Sequence, residues 1–405
     1  MSQLESSESA APPSAHREGE LAALCVAGQA LTTFESSGPL IKAMVEDIRQ
    51  ARQRVWLESY IIAADAAGQA VAEALKERAA AGVDCRVIYD AVGSASTPSA
   101  FFRDLEAAGV HVHAFHTLWE SLWQFRSLRV LNRRDHRKLL VIDDRTAYFG
   151  GMNIVDQSGI ATVADAQARH LPASAGWRDV HVRLEGPQQQ HLAEAFRRIW
   201  QRVRLHRRPR RVRWAVREML ESRSESIHFF DSRPWFKYHQ PRRVLSPLLR
   251  GARHTITLSM AYFIPDGRVL RDLLRAAKRG VKVRVIIPGI SDVPAVYWAT
   301  RHLYARLLKH DIRIYERKDR MLHSKVLVID GVWTVLGSCN LDPRSLQINL
   351  ELIAVIHSRP MAAAINRIAR FELRNSRRVT IADVRKRSWL ERLLDRLAWS
   401  MRRWL

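Results

Sequence analysis

Cysteine is scarce in this sequence of 405 residues, and long apolar runs are absent. The three cysteines, Cys25, Cys85 and Cys339, stand too far apart to suggest a metal site or a disulfide framework, so we expect a reducing compartment. No window approaches the roughly 18 uninterrupted apolar residues of a membrane-spanning helix. The first residues, 1–20, contain no apolar stretch of the kind that a secretory signal requires. These shortages argue against a disulfide-rich secreted protein and leave only peripheral contact with a bilayer.

Acidic residues are also in short supply, with 41 aspartates and glutamates against 65 lysines and arginines. The net charge of +24 favours polyanionic partners, namely nucleic acid, an anionic bilayer or substrates that carry phosphate. Part of this charge lies in residues 197–214, which contain nine arginines and no acid. We interpret that run as part of a basic linker, 197–240, which meets lipid headgroups, nucleic acid or only solvent. Residues 1–20 are polar and contain proline, which is typical of a disordered leader.

An internal repeat organises the rest of the chain. Residues 71–82 have helical periodicity and end at a glycine, and a valine-rich strand pattern, 83–94, follows at once. The same order returns as a helix over 269–280, a terminal glycine and a strand over 281–289. Strands that alternate with helices predict an α/β fold, and the repetition predicts a tandem duplication. We place the two lobes and a basic amphipathic tail at residues 21–196, 241–374 and 375–405.

Each half ends in a short motif on a strand pattern, HRKLLVID at 136–143 and HSKVLVID at 323–330. Residues two apart in a strand point the same way, so each histidine shares a face with the lysine that follows it. The two pairs are His136 with Lys138 and His323 with Lys325.

The rest of each motif predicts a hairpin. Asp143 and Asp330 stand seven places after their histidines, an odd spacing that turns them to the other face of an unbroken strand and predicts a bracing role. A turn and a second strand follow, and Asn153 and Asn340 come 17 residues after the histidines. A hairpin returns these asparagines to the end of the sheet where the histidines lie.

Two imidazoles, two ammonium groups and two carboxamides come together if the halves pack face to face. That set suits a phosphodiester, because the lysines and amides can neutralise and orient the non-bridging oxygens. One imidazole can attack phosphorus while the other protonates the leaving alkoxide. The spacing does not decide which histidine attacks.

The longer segments HRKLLVIDDRTAYFGGMN (136–153) and HSKVLVIDGVWTVLGSCN (323–340) resemble the two HKD motifs of the phospholipase D superfamily. The likeness covers residues 25–374, and NRRDHRK, WRDVHVRLEGP and NLDPRSLQINLE are similar to segments of the bacterial cardiolipin synthases. The lack of membrane-spanning segments favours the B form of that family. The resemblance implies two α/β sandwich lobes that share one active site at their interface, with no metal and no cofactor.

The resemblance also implies a reaction. A phosphatidyl group moves from one phosphatidylglycerol, or another phospholipid donor, onto a histidine and then to a second phosphatidylglycerol, with release of glycerol. His136 matches the usual nucleophile and His323 the general acid that later acts as a base. The remaining members of the catalytic set are Lys138, Asp143, Lys325 and Asp330.

Further residues follow from the same resemblance. The small polar lining of the site corresponds to Asn153, Ser338 and Asn340. Glu351 matches an acid that orients the histidine of its own motif, and Asp179 is the candidate for that part in the first half. Gly151 departs from the pattern because the second motif has a serine there, so the first half loses a hydroxyl donor.

Aromatic and basic residues predict attachment to an anionic membrane, on the cytoplasmic side of the bacterial inner membrane. Trp119 and Trp123 precede a run of arginines and suit an interfacial lip, or else an ordinary helix with its tryptophans packed inward. Trp389 and Trp404 belong to an amphipathic pattern at 384–405, which suits an interfacial helix or packing on the body or a second subunit. The sequence leaves the assembly state open.

Two alternatives to the lipid transferase remain. A phospholipase D hydrolase or a nuclease of the same superfamily would also use the positive charge, although the tryptophan-rich tail disfavours nucleic acid. A non-catalytic scaffold is disfavoured because both motifs are chemically complete. Glu58 and Tyr60, with Tyr262 in the equivalent place of the repeat, line the cleft or belong to the core, and the core is the favoured reading for the two tyrosines.

Overall fold

The computed structural model describes the chain in eight segments, which are residues 20–115, 133–156, 176–201, 216–217, 219–221, 224–232, 240–318 and 320–404. The predicted leader, except for Glu20, lies outside the described residues. So do Trp119, Trp123 and most of the arginine run at 197–214.

The first half forms a mixed sheet. Its strands are β1 (Glu20–Val26), β2 (Gln29–Phe34), β3 (Arg54–Ser59), β4 (Asp84–Asp90), β5 (His111–Phe115), β6 (Leu139–Ile142), β7 (Thr146–Gly150) and β8 (His181–Glu185). They lie in the order β1-β2-β8-β7-β6-β3-β4-β5. The helices of this half are α1 (Ser37–Arg49), α2 (Ala66–Ala80), α3 (Ser99–Ala107) and α4 (Gln189–Trp200).

The second half forms another mixed sheet. Its strands are β9 (Ser226–Asp231), β10 (Thr255–Met260), β11 (Lys282–Pro288), β12 (Arg313–Arg317), β13 (Lys325–Ile329), β14 (Trp333–Gly337), β15 (Leu352–His357) and β16 (Ser376–Arg378). They lie in the order β16-β12-β11-β10-β13-β14-β15-β9. The helices are α5 (Gln240–Gly251), α6 (Gly267–Lys278), α7 (Pro294–His302), α8 (Tyr304–Leu308), α9 (Pro343–Gln347), α10 (Arg359–Arg374), α11 (Ile381–Arg385) and α12 (Trp389–Ser400).

The two sheets repeat one topology. The order β8-β7-β6-β3-β4-β5 of the first matches β15-β14-β13-β10-β11-β12 of the second. Three strands of each set run parallel, and the hairpin that begins at the histidine-lysine motif adds antiparallel strands. The predicted α/β fold and tandem duplication are therefore confirmed.

Local signals set the ends of the repeated helices. Asp65 caps α2 by accepting a hydrogen bond from a backbone amide, and Asp266 caps α6 by accepting from two. Gly82 and Gly280 follow these helices with φ of +82° and +89°, a left-handed conformation that glycine adopts at low cost. Each following strand pairs in parallel with the strand before the helix.

A shared hydrophobic core joins the two halves. Val141 of β6 and Phe149 of β7 pack in one cluster with Val328 of β13 and Leu336 of β14. Helices α4 and α10 contribute to this cluster, whereas α1 and α2, and α5 and α6, contribute to separate cores in their own halves. The strands that follow the two motifs therefore meet between the lobes.

The linker and tail hold structured elements. Strand β9 lies inside the predicted linker and pairs with β15 at the edge of the second sheet. Strand β16, inside the predicted tail, pairs with β12 at the other edge. Helix α12 packs against α7. Among the described residues, the helices are too short or too polar to cross a bilayer.

Candidate active site

The first histidine-lysine pair is held by the second lobe. The amide of His136 donates to the carbonyl of Leu350 at 3.0 Å, and the amide of Leu350 donates to the carbonyl of Arg134 at 2.9 Å. This bridge brings the next residue, Glu351, to the histidine. The Nδ1 atom of His136 lies 3.2 Å from Glu351 Oε2 and 3.0 Å from the carbonyl oxygen of Ser338.

The second pair is held by the first lobe in the same way. The amide of His323 donates to the carbonyl of Arg178 at 2.7 Å, and the amide of Arg178 donates to the carbonyl of Met321 at 2.9 Å. Asp179 follows Arg178, and its Oδ2 lies 2.7 Å from His323 Nδ1. Lys325 Nζ lies 3.5 Å from the same carboxylate oxygen.

This exchange corrects one expectation. The resemblance paired Glu351 with the histidine of its own motif and made Asp179 the candidate for the first-half histidine. The structure crosses the pairs, so Glu351 contacts His136 and Asp179 contacts His323. The cause is the two bridges between lobes, which place each acid beside the opposite motif.

The carbonyl of Ser338 fixes the tautomer of the first histidine. A carbonyl oxygen can only accept, so Nδ1 of His136 carries the proton in the 3.0 Å contact. In the neutral ring, Nε2 then keeps its lone pair. Burial, with the charges of Lys138, Lys325 and His323, holds the pKa of His136 well below its usual range. The ring is therefore uncharged near neutral pH.

The second histidine differs because its acid partner is ionised. Burial and the charge of Lys325 lower the pKa of His323, but the hydrogen bond to Asp179 opposes them. Burial works against ionisation of Asp179, yet Lys325 and His323 outweigh it and hold the pKa of Asp179 below its usual value. By contrast, burial raises the pKa of Glu351 well above its usual value despite the charge of Lys138.

The two lysines converge with the histidines. Burial lowers the pKa of Lys138 to about 7, with Lys325 acting in the same direction and the Glu351 and Asp179 carboxylates against it. Burial likewise lowers the pKa of Lys325. Lys138 Nζ donates to the carbonyl of its own motif's histidine at 2.7 Å. Lys325 Nζ lies 2.8 Å from His323 Nδ1, and Lys138 Nζ lies 5.2 Å from the ring of Tyr60, which in turn contacts the ring of His136.

The predicted polar lining lies at the same end of the sheets. Asn153 and Asn340 are both buried, and Asn153 Oδ1 accepts from the amide of Ile61 at 3.3 Å. Among the described residues, Asn340 Oδ1 has no protein partner, so it is available to a ligand. The Ser338 hydroxyl donates to Glu351.

The structure explains the glycine that departs from the motif. A Cβ atom on Gly151 would lie 2.3 and 2.5 Å from the two carboxylate oxygens of Asp179. A side chain there would displace the carboxylate from His323. The first half therefore has glycine and not serine at this position, because the Asp179 carboxylate occupies the space that a serine side chain would need.

Asp143 and Asp330 lie at the other end of the hairpins, directly after β6 and β13. Asp143 accepts from the amides of three successive residues, Arg52 to Arg54, at 2.8 to 3.0 Å. Asp330 accepts in the same way from 253–255 at 2.7 to 2.8 Å. The structure therefore places both aspartates away from the histidines, as braces for β3 and β10.

The three residues that the sequence left open have different places. The ring of Tyr60 lies edge-on to His136 with 5.1 Å between centroids, so this tyrosine borders the site. Tyr262 donates to Asp292 at 2.6 Å and packs with an apolar cluster. Strand register aligns Tyr262 with Ile61, one residue from the predicted match. Glu58 is buried and paired with Arg137 behind the site.

Trp177 was missed by sequence reasoning. Its ring lies 5.0 Å from the ring of His323, tilted by 42°. It stands two residues before Asp179 in the segment WRD, and that spacing was the available signal. Within the described part of the chain, no group of three or more His, Cys, Asp or Glu side chains could hold a metal ion.

Fold and site together define a phospholipase D-like protein with two fused half-sites. A model of the family described as cardiolipin synthase, PLD-like domain, matches residues 44–167 and 245–371. This chain belongs to that family.

Named relatives agree with the family. The chain is 30% identical over 380 residues to cardiolipin synthase A of Proteus mirabilis, covering 92% of this chain and 74% of that protein. It is also 30% identical over 349 residues to cardiolipin synthase 1 of Staphylococcus epidermidis, covering 86% and 68%. These names do not test the B form, which stays a prediction.

Solved structures share the fold. Phosphatidylserine synthase of Haemophilus influenzae matches with a TM-score of 0.66 at 14% identity, over 92% of each chain. Polyphosphate kinase of Porphyromonas gingivalis matches with a TM-score of 0.56 at 14% identity, over 88% of this chain and 49% of that one.

Proposed function

We propose that this protein is a cardiolipin synthase, an enzyme that transfers a phosphatidyl group between two phosphatidylglycerol molecules. The observation that carries the proposal is the crossed arrangement in which each lobe supplies the acid behind the other lobe's histidine. One phosphorus atom between the two imidazoles would be reached by both motifs. Family membership supports the lipid substrate.

In the first step, Nε2 of His136 attacks phosphorus and the phosphorus–oxygen bond to glycerol breaks. The proton on His323 passes to the leaving oxygen, so glycerol departs uncharged and a phosphatidyl-histidine remains. Lys138 and Lys325 balance the charge on the non-bridging oxygens, with the amides of Asn153 and Asn340. The bound phosphate is what allows His323 to be protonated, because its negative charge offsets the nearby lysines.

In the second step, the hydroxyl of another phosphatidylglycerol attacks the same phosphorus. His323 takes the hydroxyl proton, the new phosphorus–oxygen bond forms, and the bond to His136 breaks. The products are cardiolipin and free enzyme, in the protonation state of the start. No proton is gained or lost over the cycle.

The test is incubation with phosphatidylglycerol vesicles followed by mass spectrometry of the lipids. We expect cardiolipin and an equal amount of glycerol, and no turnover with the His323→Ala variant. Phosphatidic acid without cardiolipin would make the protein a hydrolase. Neither product, together with cleavage of DNA, would make it a nuclease.

The exposed face of α12 supports attachment to an anionic membrane. Its apolar side chains form one stripe although the helix packs on α7, and Trp389 and Trp404 are 76% and 71% exposed. Basic side chains flank the stripe and suit anionic headgroups. The unpaired thiols of Cys25, Cys85 and Cys339 support the cytoplasmic side of a bacterial inner membrane.

A further inference from the structure

The proposed reaction brings two phosphodiesters to the enzyme at once. The donor phosphate occupies the cluster of His136, Lys138, His323 and Lys325. The acceptor carries its own phosphate, one glycerol away from the hydroxyl that reacts. That second anion needs cations outside the cluster, and it must lie on the side from which the acceptor enters.

The alternation of side chains along an extended segment predicts that Arg134 points toward the cleft that contains His136. The segment before β6 is extended, because Asp135 forms a parallel bridge with Leu350. Asp135 and Arg137 point inward, where both are fully buried and paired with one another. The alternate residues Arg134, His136 and Lys138 therefore share the opposite face, toward the substrate.

A second arginine comes from the other lobe. The carbonyl of Arg344, in α9, accepts from the amides of Ile348 and Asn349 at 2.7 and 2.8 Å. The side-chain oxygen of Asn349 then accepts from the amide of Arg134 at 3.4 Å. Asn349 thus ties the two arginine backbones together, and both arginines are half-buried.

Both guanidinium groups act on the tyrosine beside the nucleophile. Burial and the charge of Asp90 raise the pKa of Tyr60, and Arg134 and Arg344 oppose that rise. The Nη1 atom of Arg344 also lies 3.5 Å from the carbonyl oxygen of Trp404. Arg344 therefore lies close to the end of the tail, and its charge also reaches the tyrosine beside the first histidine.

We propose that Arg134 and Arg344 form a second phosphate subsite, which binds the phosphodiester of the acceptor lipid. The inference rests on the proposed function and adds the residues that select a phosphate-bearing acceptor. A guanidinium group suits this task because its planar donors match two phosphate oxygens and it stays charged at every working pH.

The test separates acceptor choice from donor chemistry. Full-length protein is given phosphatidyl-p-nitrophenol in detergent micelles, a donor without an acceptor hydroxyl, and two soluble acceptors, glycerol and glycerophosphoglycerol. We expect the native protein to prefer glycerophosphoglycerol. In Arg134→Gln and Arg344→Gln, the ratio of kcat/KM for the two acceptors should fall about tenfold, as for the loss of one charged hydrogen bond. Arg344→Lys should keep part of the preference.

Arg313→Gln, at an exposed position at the start of β12, should leave the ratio unchanged. Transfer with an unaltered ratio in both arginine variants overturns the subsite and leaves the proposed function intact. If the arginine variants float less on phosphatidic acid vesicles but keep the same kcat/KM ratio for the two acceptors, the arginines bind the membrane surface. That result would also overturn the subsite. Hydrolysis without transfer in the native protein overturns both.

Discussion

At the scale of single residues, the acids behind the two imidazoles separate their tasks. Asp179 is ionised and anchors His323, so its charge opposes the burial and the Lys325 charge that lower the pKa of that ring. Glu351 holds its proton to higher pH, and His136 stays neutral between two lysines. A neutral imidazole can attack phosphorus, and a protonated one can release the leaving group. This difference agrees with the roles that the family resemblance implies.

Asp179→Asn should lower steady-state transfer on the order of 100-fold, because His323 loses its anionic partner. The defect concerns protonation of the leaving group, so a donor with p-nitrophenol should restore the first step. The measurement is single-turnover release of p-nitrophenol, compared with release of glycerol from phosphatidylglycerol. Glu351→Gln is the matched control, since it disturbs His136 and the better leaving group should not restore it. Rescue of Glu351→Gln instead would make His136, the histidine that Glu351 contacts, the general acid.

The pKa of Lys138, about 7, predicts a basic limb in the pH profile. This lysine is charged below that value and neutral above it, so its attraction for the donor phosphate fades as the pH rises through 7. We expect kcat/KM to fall over that range. Lys138→Arg should lower activity but move the fall to higher pH, because guanidinium does not lose its proton. If the basic limb of the kcat/KM profile stays at the same pH in Lys138→Arg, another group is responsible for it.

At the scale of elements, the motif aspartates hold strand ends together. Each adopts a positive φ, +50° at Asp143 and +53° at Asp330, and each caps three amides of a neighbouring strand. The positive φ and the capping of three amides therefore recur in both lobes at the same point of the topology. The aspartates of the two motifs therefore support the fold that positions the site, and they lie at the end of the hairpins away from the histidines.

Asp143→Ala should lower the free energy of unfolding by about 1–3 kcal/mol, because three amides lose their acceptor. Folded protein should keep its kcat at low temperature, since the site lies at the other end of β6. Urea unfolding and initial rates measured on one preparation separate the two effects. Asp144→Ala is the control, because that side chain is exposed and forms a surface ion pair with Arg54. If Asp143→Ala is soluble and folded but its kcat is lost, Asp143 has a direct role in catalysis.

The elements were predictable where the signal is local. Periodicity and terminal glycines predicted the repeated helix and strand, and parity predicted that Asp143 faces away from its histidine. The exchange of acids was not predictable, because it depends on bridges between Asp135 and Leu350 and between Arg178 and Leu322 that link the lobes. The match of Tyr262 to Tyr60 was wrong by one residue, because the pairing of strands decides which positions of the repeat are equivalent.

At the scale of the molecule, one core and one site depend on the same packing. The hairpins of both motifs meet in the shared cluster, and the catalytic candidates sit at its edge. A shift between the lobes would separate each histidine from its acid. The two halves must therefore act as a single unit, although each repeats the full topology.

In the proposed membrane attachment, the tail determines which side of this unit faces the bilayer. Asp395 and Ala398 of α12 are buried, and Asp395 pairs with Arg387, while Leu393 and Leu397 are 42% and 53% exposed.

Leu393→Gln with Leu397→Gln should reduce flotation on anionic vesicles more than tenfold, because burying each leucine contributes on the order of 1.5–3 kcal/mol. Transfer from the micellar donor should persist, because the two substitutions leave unchanged the face of α12 that packs against α7. Leu220→Gln changes an exposed leucine elsewhere and should float like the native protein. Unchanged flotation of the double variant, with a smaller particle in sedimentation, would make the stripe a contact between subunits.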